Sequence, residues 1–221
     1  SYSSENLTYS SRSIDVLENS SRVEIFAPSV MSNGNGAITK ICVEARKGEG
    51  RILVDVENIL FWIDTQYSIR TAKNVAEKYL NKSLASIDLV YSIEGNATLV
   101  EGSSAGAALT LATIAALENK NIRKDVAITG TINPDGSIGQ VGGILEKGKA
   151  AKDYGIKTFL VPKGQGKIIQ YEQERKCERI GLFTYCEIRA IPKEVDLKKE
   201  LGIDVIEVSH ITEALKYFIE E

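Results

Sequence analysis

The stretch Leu99–Leu117, LVEGSSAGAALTLATIAAL, sets two serines at the mouth of a run that carries no charge from Gly106 onward. A helix that is apolar on every side belongs inside a protein rather than on its surface. Upstream, residues 22–30 (RVEIFAPSV), 37–45 (AITKICVEA) and 51–57 (RILVDVE) alternate or are rich in β-branched residues. Asn33-Gly34-Asn35-Gly36 and Gly48-Glu49-Gly50 separate them, so a meander of three strands is expected. Residues 65–80 place Ile69, Ala72, Val75, Ala76 and Leu80 at helical spacing behind Asp64 as N-cap, and 86–93 return to strand. Downstream, 126–131 (VAITGT) reads as a buried strand, NPDGSIGQVGG as a glycine-rich turn region and 144–154 as a helix. A strand at 157–162 ends at Pro162. Residues 165–196 read as a charged helix (KIIQYEQERKCER) and then a strand (LFTYCEIRA). The end is a strand over 203–208 and a helix over 211–219 capped by Ser209. A β-rich front half followed by alternating strands and helices predicts a mixed α/β fold of the α+β class. It forms one domain over 21–221, behind a flexible polar arm at 1–20.

Composition narrows the function. The chain has 221 residues, enough for a sizeable core, with 43% hydrophobic and 26% charged side chains and a net charge of −3. Acids and bases are interspersed, so the basic stripe of a nucleic-acid binder is missing. No run approaches the ~18–20 apolar residues of a membrane span. The cysteines Cys42, Cys177 and Cys186 have no CxxC spacing and His210 is the single histidine, which argues against a zinc site; neither metal nor cofactor is expected. Cys42, in an alternating strand, reads as a buried small hydrophobe. Cys177 and Cys186 leave a disulfide open, conditional on export. The Ser-rich start SYSSENLTYSSRS is not an intact signal peptide, and Asn-x-Ser/Thr sequons at Asn6, Asn19, Asn81 and Asn96 lean toward an exterior location.

The serines have two structural explanations. Ser103 or Ser104 can cap the helix, or small residues can let a strand approach it. The same position also suits catalysis. Unpaired N–H groups at a helix start favour negative charge, so a serine oxygen there can attack a carbonyl while neighbouring N–H groups hold the oxyanion. Such a serine needs a base. His210 lies in a helix-capping stretch, which leaves a lysine, and a lysine base must be desolvated to lose its proton near neutrality. In ILEKGKAAKDY, at roughly 100° per residue, Ile144, Ala150, Ala151 and Tyr154 fall within about 60° of Lys147. Glu146, Lys149 and Asp153 lie on or near the opposite face. Lys147 therefore projects from the small apolar face, either as a buried base or as a lysine snorkelling at the edge of the core.

The residues EGSSAGAALT (101–110), DVAITGTINPDGSIGQVGGILEKGKAA (125–151) and GIKTFLVP (155–162) closely resemble the proteolytic domain of Lon-type serine proteases. The resemblance implies a Lon-like fold and a Ser-Lys dyad. It places the nucleophile on Ser104, the lysine on Lys147 43 residues later, and a threonine that supports the lysine on Thr129. Glu101, Gly102, Ser103 and Ala105 flank the nucleophile. Glu101 stands where the family pattern has Asp. Ser103 stands where some archaeal members carry an Asp that pairs with the lysine and holds the site inactive. Thr131 replaces an acid common in the bacterial form. The strong match covers about 99–162, and 163–200 reads as divergent or inserted.

No Gly-x-x-x-x-Gly-Lys-Ser/Thr loop occurs, so this chain carries no Walker-type ATPase. The resemblance thus implies an ATP-independent endopeptidase acting on a protein or peptide, with an ATPase or membrane anchor outside this chain left open. It is similar to archaeal Lon-like proteases that are exported or membrane-anchored, and the sequons and cysteines lean the same way. A homo-oligomer follows from resemblance alone. The stretch GSIGQVGG (136–143) is read as a tight turn passing close to the active-site helix rather than as a phosphate loop. Two rivals remain. One is a catalytically silent Lon-like binding or assembly domain. The other is a small-molecule kinase of the galactokinase or mevalonate kinase type, whose Gly-Ser-Ser-Ala stretch holds ATP phosphates.

Overall fold

Alternation in the first two strands builds the floor of the molecule. The computed structural model describes residues 12–13, 20–56, 60–61, 63–94, 99–100 and 102–219. Strands β1 (Ser21–Val30) and β2 (Gly36–Lys47) pair antiparallel from Ser21 opposite Ala45 to Val30 opposite Gly36. Val23, Ile25 and Ala27 point to the core and Arg22 to solvent. Two further strands, β3 (Ile52–Val54) and β4 (Ile87–Glu94), complete a sheet of order β1-β2-β4-β3.

That order corrects the expected three-strand meander. β3 pairs parallel with β4 rather than with β2. The edge of β2 is taken by β4, which buries Ile87, Leu89, Tyr91 and Ile93. Asp88 steers the detour. Its carboxylate accepts from the Glu49 and Arg51 N–H groups at 2.8 and 2.9 Å and from the Arg51 guanidinium at 2.8 and 3.0 Å, which draws the chain across the end of β4. The side chain is 2% exposed, and the Arg51 guanidinium and these N–H groups hold its carboxyl well below the usual carboxylate range. A carboxylate with a depressed pKa adds stability above its unfolded pKa and loses it as pH falls toward the folded one. Asp88→Asn is therefore expected to lower the denaturation midpoint at neutral pH and to flatten the fall in stability below about pH 4. Parallel melts of both proteins across the acid range check this.

Helix α1 (Ile63–Leu80) buries Ile69, Ala72, Val75 and Ala76 as the periodicity predicts. Asp64 is not its N-cap but lies inside the first turn, with its carboxylate accepting from the Thr65 N–H at 2.9 Å. Helix α2 (Gly106–Glu118) is buried at every residue from Gly106 to Leu117, packed against α1 on one side and β1 and β2 on the other. Its Thr113 hydroxyl meets the buried Tyr91 hydroxyl at 2.9 Å, so the polar atoms inside this layer are paired.

Downstream the chain runs β5 (Val126–Ile128), β6 (Thr131–Ile132), β7 (Ile138–Gly139), α3 (Ile144–Asp153), β8 (Thr158–Pro162), β9 (Lys167–Ile180), β10 (Phe183–Asp196), α4 (Leu197–Leu201), β11 (Asp204–Val208) and α5 (Ile211–Phe218). The expected strand 126–131 is thus interrupted at Thr129-Gly130. β5, β8 and β11 form a parallel sheet of order β11-β8-β5. The mixture of antiparallel and parallel sheets with helices is the α+β class. Helix α5 is capped by His210, whose ring nitrogen accepts from the Thr212 N–H, and not by Ser209, whose hydroxyl and N–H both donate to Glu213.

The largest departure is at 165–196. The expected charged helix is a strand: β9 and β10 pair through fourteen rungs from Lys167–Asp196 to Ile180–Phe183. Its Gln, Glu, Lys and Arg are good helix formers. Three long-range facts override them. Cys177 lies opposite Cys186 and the two form a disulfide, Gly181 takes the φ of +63° that a two-residue hairpin turn favours, and at the base of the ribbon Val195 is buried while Ile168 packs, half-buried, on the core. Cys42 is buried as expected, but beneath the polar cluster of Arg22, Glu24 and Glu94. The polar arm 1–20, apart from Arg12, Ser13 and Ser20, lies outside the described residues, as do Asn6, Asn19 and Asn96.

Candidate active site

The chain reaches the serines through Gly102, whose φ of +96° other residues rarely adopt, and then makes a single 3-10 turn, Ser103–Ala105, before α2 begins. Neither serine caps a helix: the starts of the 3-10 turn and of α2 have no side-chain cap bond. The Ser104 side chain is half-buried and, among the described residues, its hydroxyl makes no hydrogen bond. The capping explanation therefore does not account for Ser104.

The backbone around it is fixed. The Ser104 carbonyl accepts from the Gly130 N–H at 2.9 Å and from the Thr129 hydroxyl at 3.4 Å, while the Gly130 carbonyl accepts from the Ala107 N–H at 3.0 Å. A Cβ on Gly106 would stand 2.8 Å from the Ile132 nitrogen and Cγ2, so the motif glycine lets α2 start against β6. Thr129, expected to support the lysine, is fully buried and bonds the backbone of the serine; among the described residues it makes no hydrogen bond to Lys147. Glu101 lies outside the described residues. Ser103, Gly102 and Ala105 frame the turn without lining the cavity beside it.

Lys147 arrives from the other side. Gly143, with φ +63° and ψ 32°, ends the glycine-rich turn and starts α3, and its carbonyl accepts from the Lys147 N–H at 3.0 Å. Two glycines let α3 sit close to its neighbours: a Cβ on Gly36 would overlap the Glu146 carbonyl oxygen, and one on Gly148 would overlap Leu201. The buried face of α3 carries Ile144, Leu145, Lys147, Gly148 and Ala151. Tyr154, placed by the helical wheel beside Lys147, is instead exposed and packs on Phe26 with ring centroids 4.9 Å apart. The Lys147 side chain is 4% exposed, and among the described residues it has no acid partner. Burial, with no compensating charge, pushes its amine down from 10.5 to about 8.

Ser104 and Lys147 line one cavity of about 260 Å³, together with Ser29, Val30, Gly142 and Gly143. The sequence does not point to Ser29 or Val30. They reach the site because β1 ends there, and no local pattern distinguishes that end from the other. Gly142 and Gly143 are legible as a turn close to the helix, and the turn borders the cavity. It is braced from outside, since Gln165 accepts from the Val141 N–H at 3.0 Å and donates to the Val141 carbonyl at 2.8 Å. Among the described residues no three of His, Cys, Asp or Glu gather as metal ligands, and no helix is long and apolar enough to cross a membrane.

Comparison with known proteins identifies the family. Residues 36–181 match the Lon protease (S16) C-terminal proteolytic domain. The chain belongs to this family of serine proteases. It is 33% identical over 181 residues to the archaeal Lon protease of Methanocaldococcus jannaschii, covering 78% of this chain and 27% of that protein. Against the archaeal Lon protease of Archaeoglobus fulgidus it is 25% identical over 83% of this chain and 25% of the relative. Against the Lon protease of Buchnera aphidicola it is 33% identical over 61% of this chain and 14% of the relative. The chain thus spans about a quarter or less of the length of these relatives. The Lon family match ends at residue 181, in the turn between β9 and β10.

Proposed function

We propose that this Lon proteolytic domain hydrolyses peptide bonds through a Ser104–Lys147 dyad, and that this step needs no ATP. The observation that carries the reading is Lys147, an amine with no acid partner among the described residues, pushed to about 8 by burial beside a cavity that Ser104 also lines. Neutral Lys147 takes the Ser104 proton as Oγ attacks the substrate carbonyl. N–H groups of the turn, at Ser104 and near Gly102 or Ala105, stabilise the oxyanion. The ammonium returns its proton to the leaving amine, and the acyl-enzyme forms. Water, deprotonated by Lys147, then attacks the acyl carbon and releases Ser104 and the new carboxylate. Thr129 supports the dyad by fixing the serine's carbonyl, with Gly130 as the second clamp.

A substrate would enter over Ser29 and Val30 and the Gly142-Gly143 turn, which line the cavity with the dyad. The Cys177–Cys186 disulfide supports an oxidising, extracytoplasmic setting. Incubating the chain with an unfolded protein, without nucleotide, tests the reading. Wild type is expected to cleave it and to be labelled at Ser104 by a fluorophosphonate, while Ser104→Ala is expected to do neither with its melting curve unchanged. Cleavage by Ser104→Ala at the wild-type rate would refute the assignment. A folded wild-type chain that neither cleaves nor labels would favour the silent binding domain.

A further inference from the structure

The β9–β10 ribbon has two unlike faces. Each strand is fourteen residues long, roughly 45 Å at about 3.3 Å per residue, and residues 171–185 are all exposed, so its outer part packs on nothing among the described residues. A lone two-stranded hairpin is marginal in water, and here the disulfide holds its outer half together.

Opposed residues share a face, and the face alternates from rung to rung. One face holds the rungs Glu172–Ile191, Glu174–Arg189, Lys176–Glu187 and Glu178–Tyr185. Its charges neutralise one another, with Lys193 on Glu172 at 2.6 Å and Arg189 on Glu187 at 2.8 Å. The other face, from the Tyr171–Pro192 rung to the turn, carries Tyr171, Pro192, Ile188 and the disulfide, with Arg175 and Arg179 and no acid. The turn itself is apolar and exposed: Leu182 is 91% exposed and Phe183 80%, and by the same alternation the closing Ile180–Phe183 rung falls on the first of these faces, beyond its charged rungs.

We infer that the tip and the arginine-bearing face of this ribbon dock on an anionic lipid surface. An exposed apolar tip on a long arm can enter a bilayer interface without a matching pocket. Arginines among apolar groups match lipid phosphates, since the side chain buries its stem and keeps its guanidinium at headgroup depth. Tyr171 on the same face is an amphipathic ring suited to that depth. The opposite face stays in water along its charged rungs, from Glu172 to Glu178, and only its last rung, Ile180–Phe183, enters with the tip. The contact is peripheral, with the tip entering one leaflet, and it does not depend on the dyad.

The experiment uses the full chain and vesicles of phosphatidylcholine alone or mixed in equal parts with phosphatidylglycerol. Co-sedimentation is expected with the mixed vesicles, weakening as salt is raised. The double change Leu182→Ser with Phe183→Ser is expected to lower the partition coefficient at least about 100-fold. Arg175→Gln and Arg179→Gln are each expected to lower it about five-fold, and only on the anionic vesicles. None of these side chains packs on the core, so melting curves should be unchanged. Phe183→Trp gives a direct readout: its emission should shift to the blue on the mixed vesicles and be quenched by brominated acyl chains. The inference is overturned if the wild type does not sediment, or if it sediments equally after both tip residues are changed. It is also overturned if the tip changes abolish a concentration-dependent dimer while vesicles are ignored, which would give the face to a second copy of this chain.

Discussion

Lys147→Met is expected to lower the rate of peptide hydrolysis by about 10²–10⁴-fold, the usual worth of a general base, and to make the protein more stable at neutral pH. Both effects follow from one buried amine. Its folded pKa of about 8 lies below the ordinary 10.5. Between those values the unfolded chain holds a proton that the folded chain lacks, so stability rises with pH across that window and is level below it. Below about 8 the fold therefore carries an ammonium it solvates poorly, at a cost of up to about 3 kcal/mol by the conversion of about 1.4 kcal/mol per pKa unit. Methionine has similar length and no charge, so the variant escapes that cost. The difference in stability between variant and wild type should be greatest near neutral pH and shrink as pH rises toward 10.5. The wild-type kcat/KM should climb about tenfold per pH unit and level above about 8. Denaturant titrations at several pH values, with the pH–rate profile, check both halves. A variant that is no more stable at neutral pH, or a flat rate profile, would mean that Lys147 is not a desolvated base.

Ser104 and Lys147 are legible in the sequence because each is tied to a regular helix, Ser104 in the turn that leads into α2 and Lys147 on α3. The all-apolar run after Gly106 can only be a buried helix, so the serines at its mouth must face whatever opens there. The periodicity of α3 alone puts Lys147 on the small face. Legibility ends wherever a partner distant in sequence decides the outcome. Hairpins are local, so the sequence sets β3 beside β2, but Asp88, 37 residues beyond Arg51, takes it to the far side of β4. Residues 168–180 have helix-forming side chains, and only pairing with 183–196 makes them a strand. Ser29 and Val30 enter the cavity by the register of β1 with β2. The family resemblance assigns Thr129 to the lysine, but its hydroxyl points to the carbonyl of the serine.

Gly36→Ala, far from any chemistry, is expected to be the most damaging single-methyl change near the site. The sequence reads Gly36 as turn punctuation, but its φ is not in the left-handed region and its role is contact. A Cβ there would overlap the Glu146 carbonyl oxygen and stand 2.8 Å from the Glu146 carbonyl carbon and 2.9 Å from the Ala150 Cβ. Two of these three atoms are backbone, so no rotamer change relieves the clash and α3 must move. Over-packing of this kind costs about 1–3 kcal/mol. The displaced residue, Glu146, is the neighbour of Lys147, so the shift carries the amine away from Ser104. Misplacing a catalytic group by an ångström can cost about 100-fold in rate. Gly34→Ala is the matched control. Its φ is +83° with open space around it, so it strains the turn without touching α3, and it should lose about 1–2 kcal/mol with the rate intact. The decisive measurement is kcat for the two variants at equal folded fraction. A large loss in Gly36→Ala alone locates the precision of the dyad in the packing of α3 on the end of the β1–β2 hairpin. Equal rates would mean that Lys147 finds Ser104 through its own flexible chain, whatever its helix does.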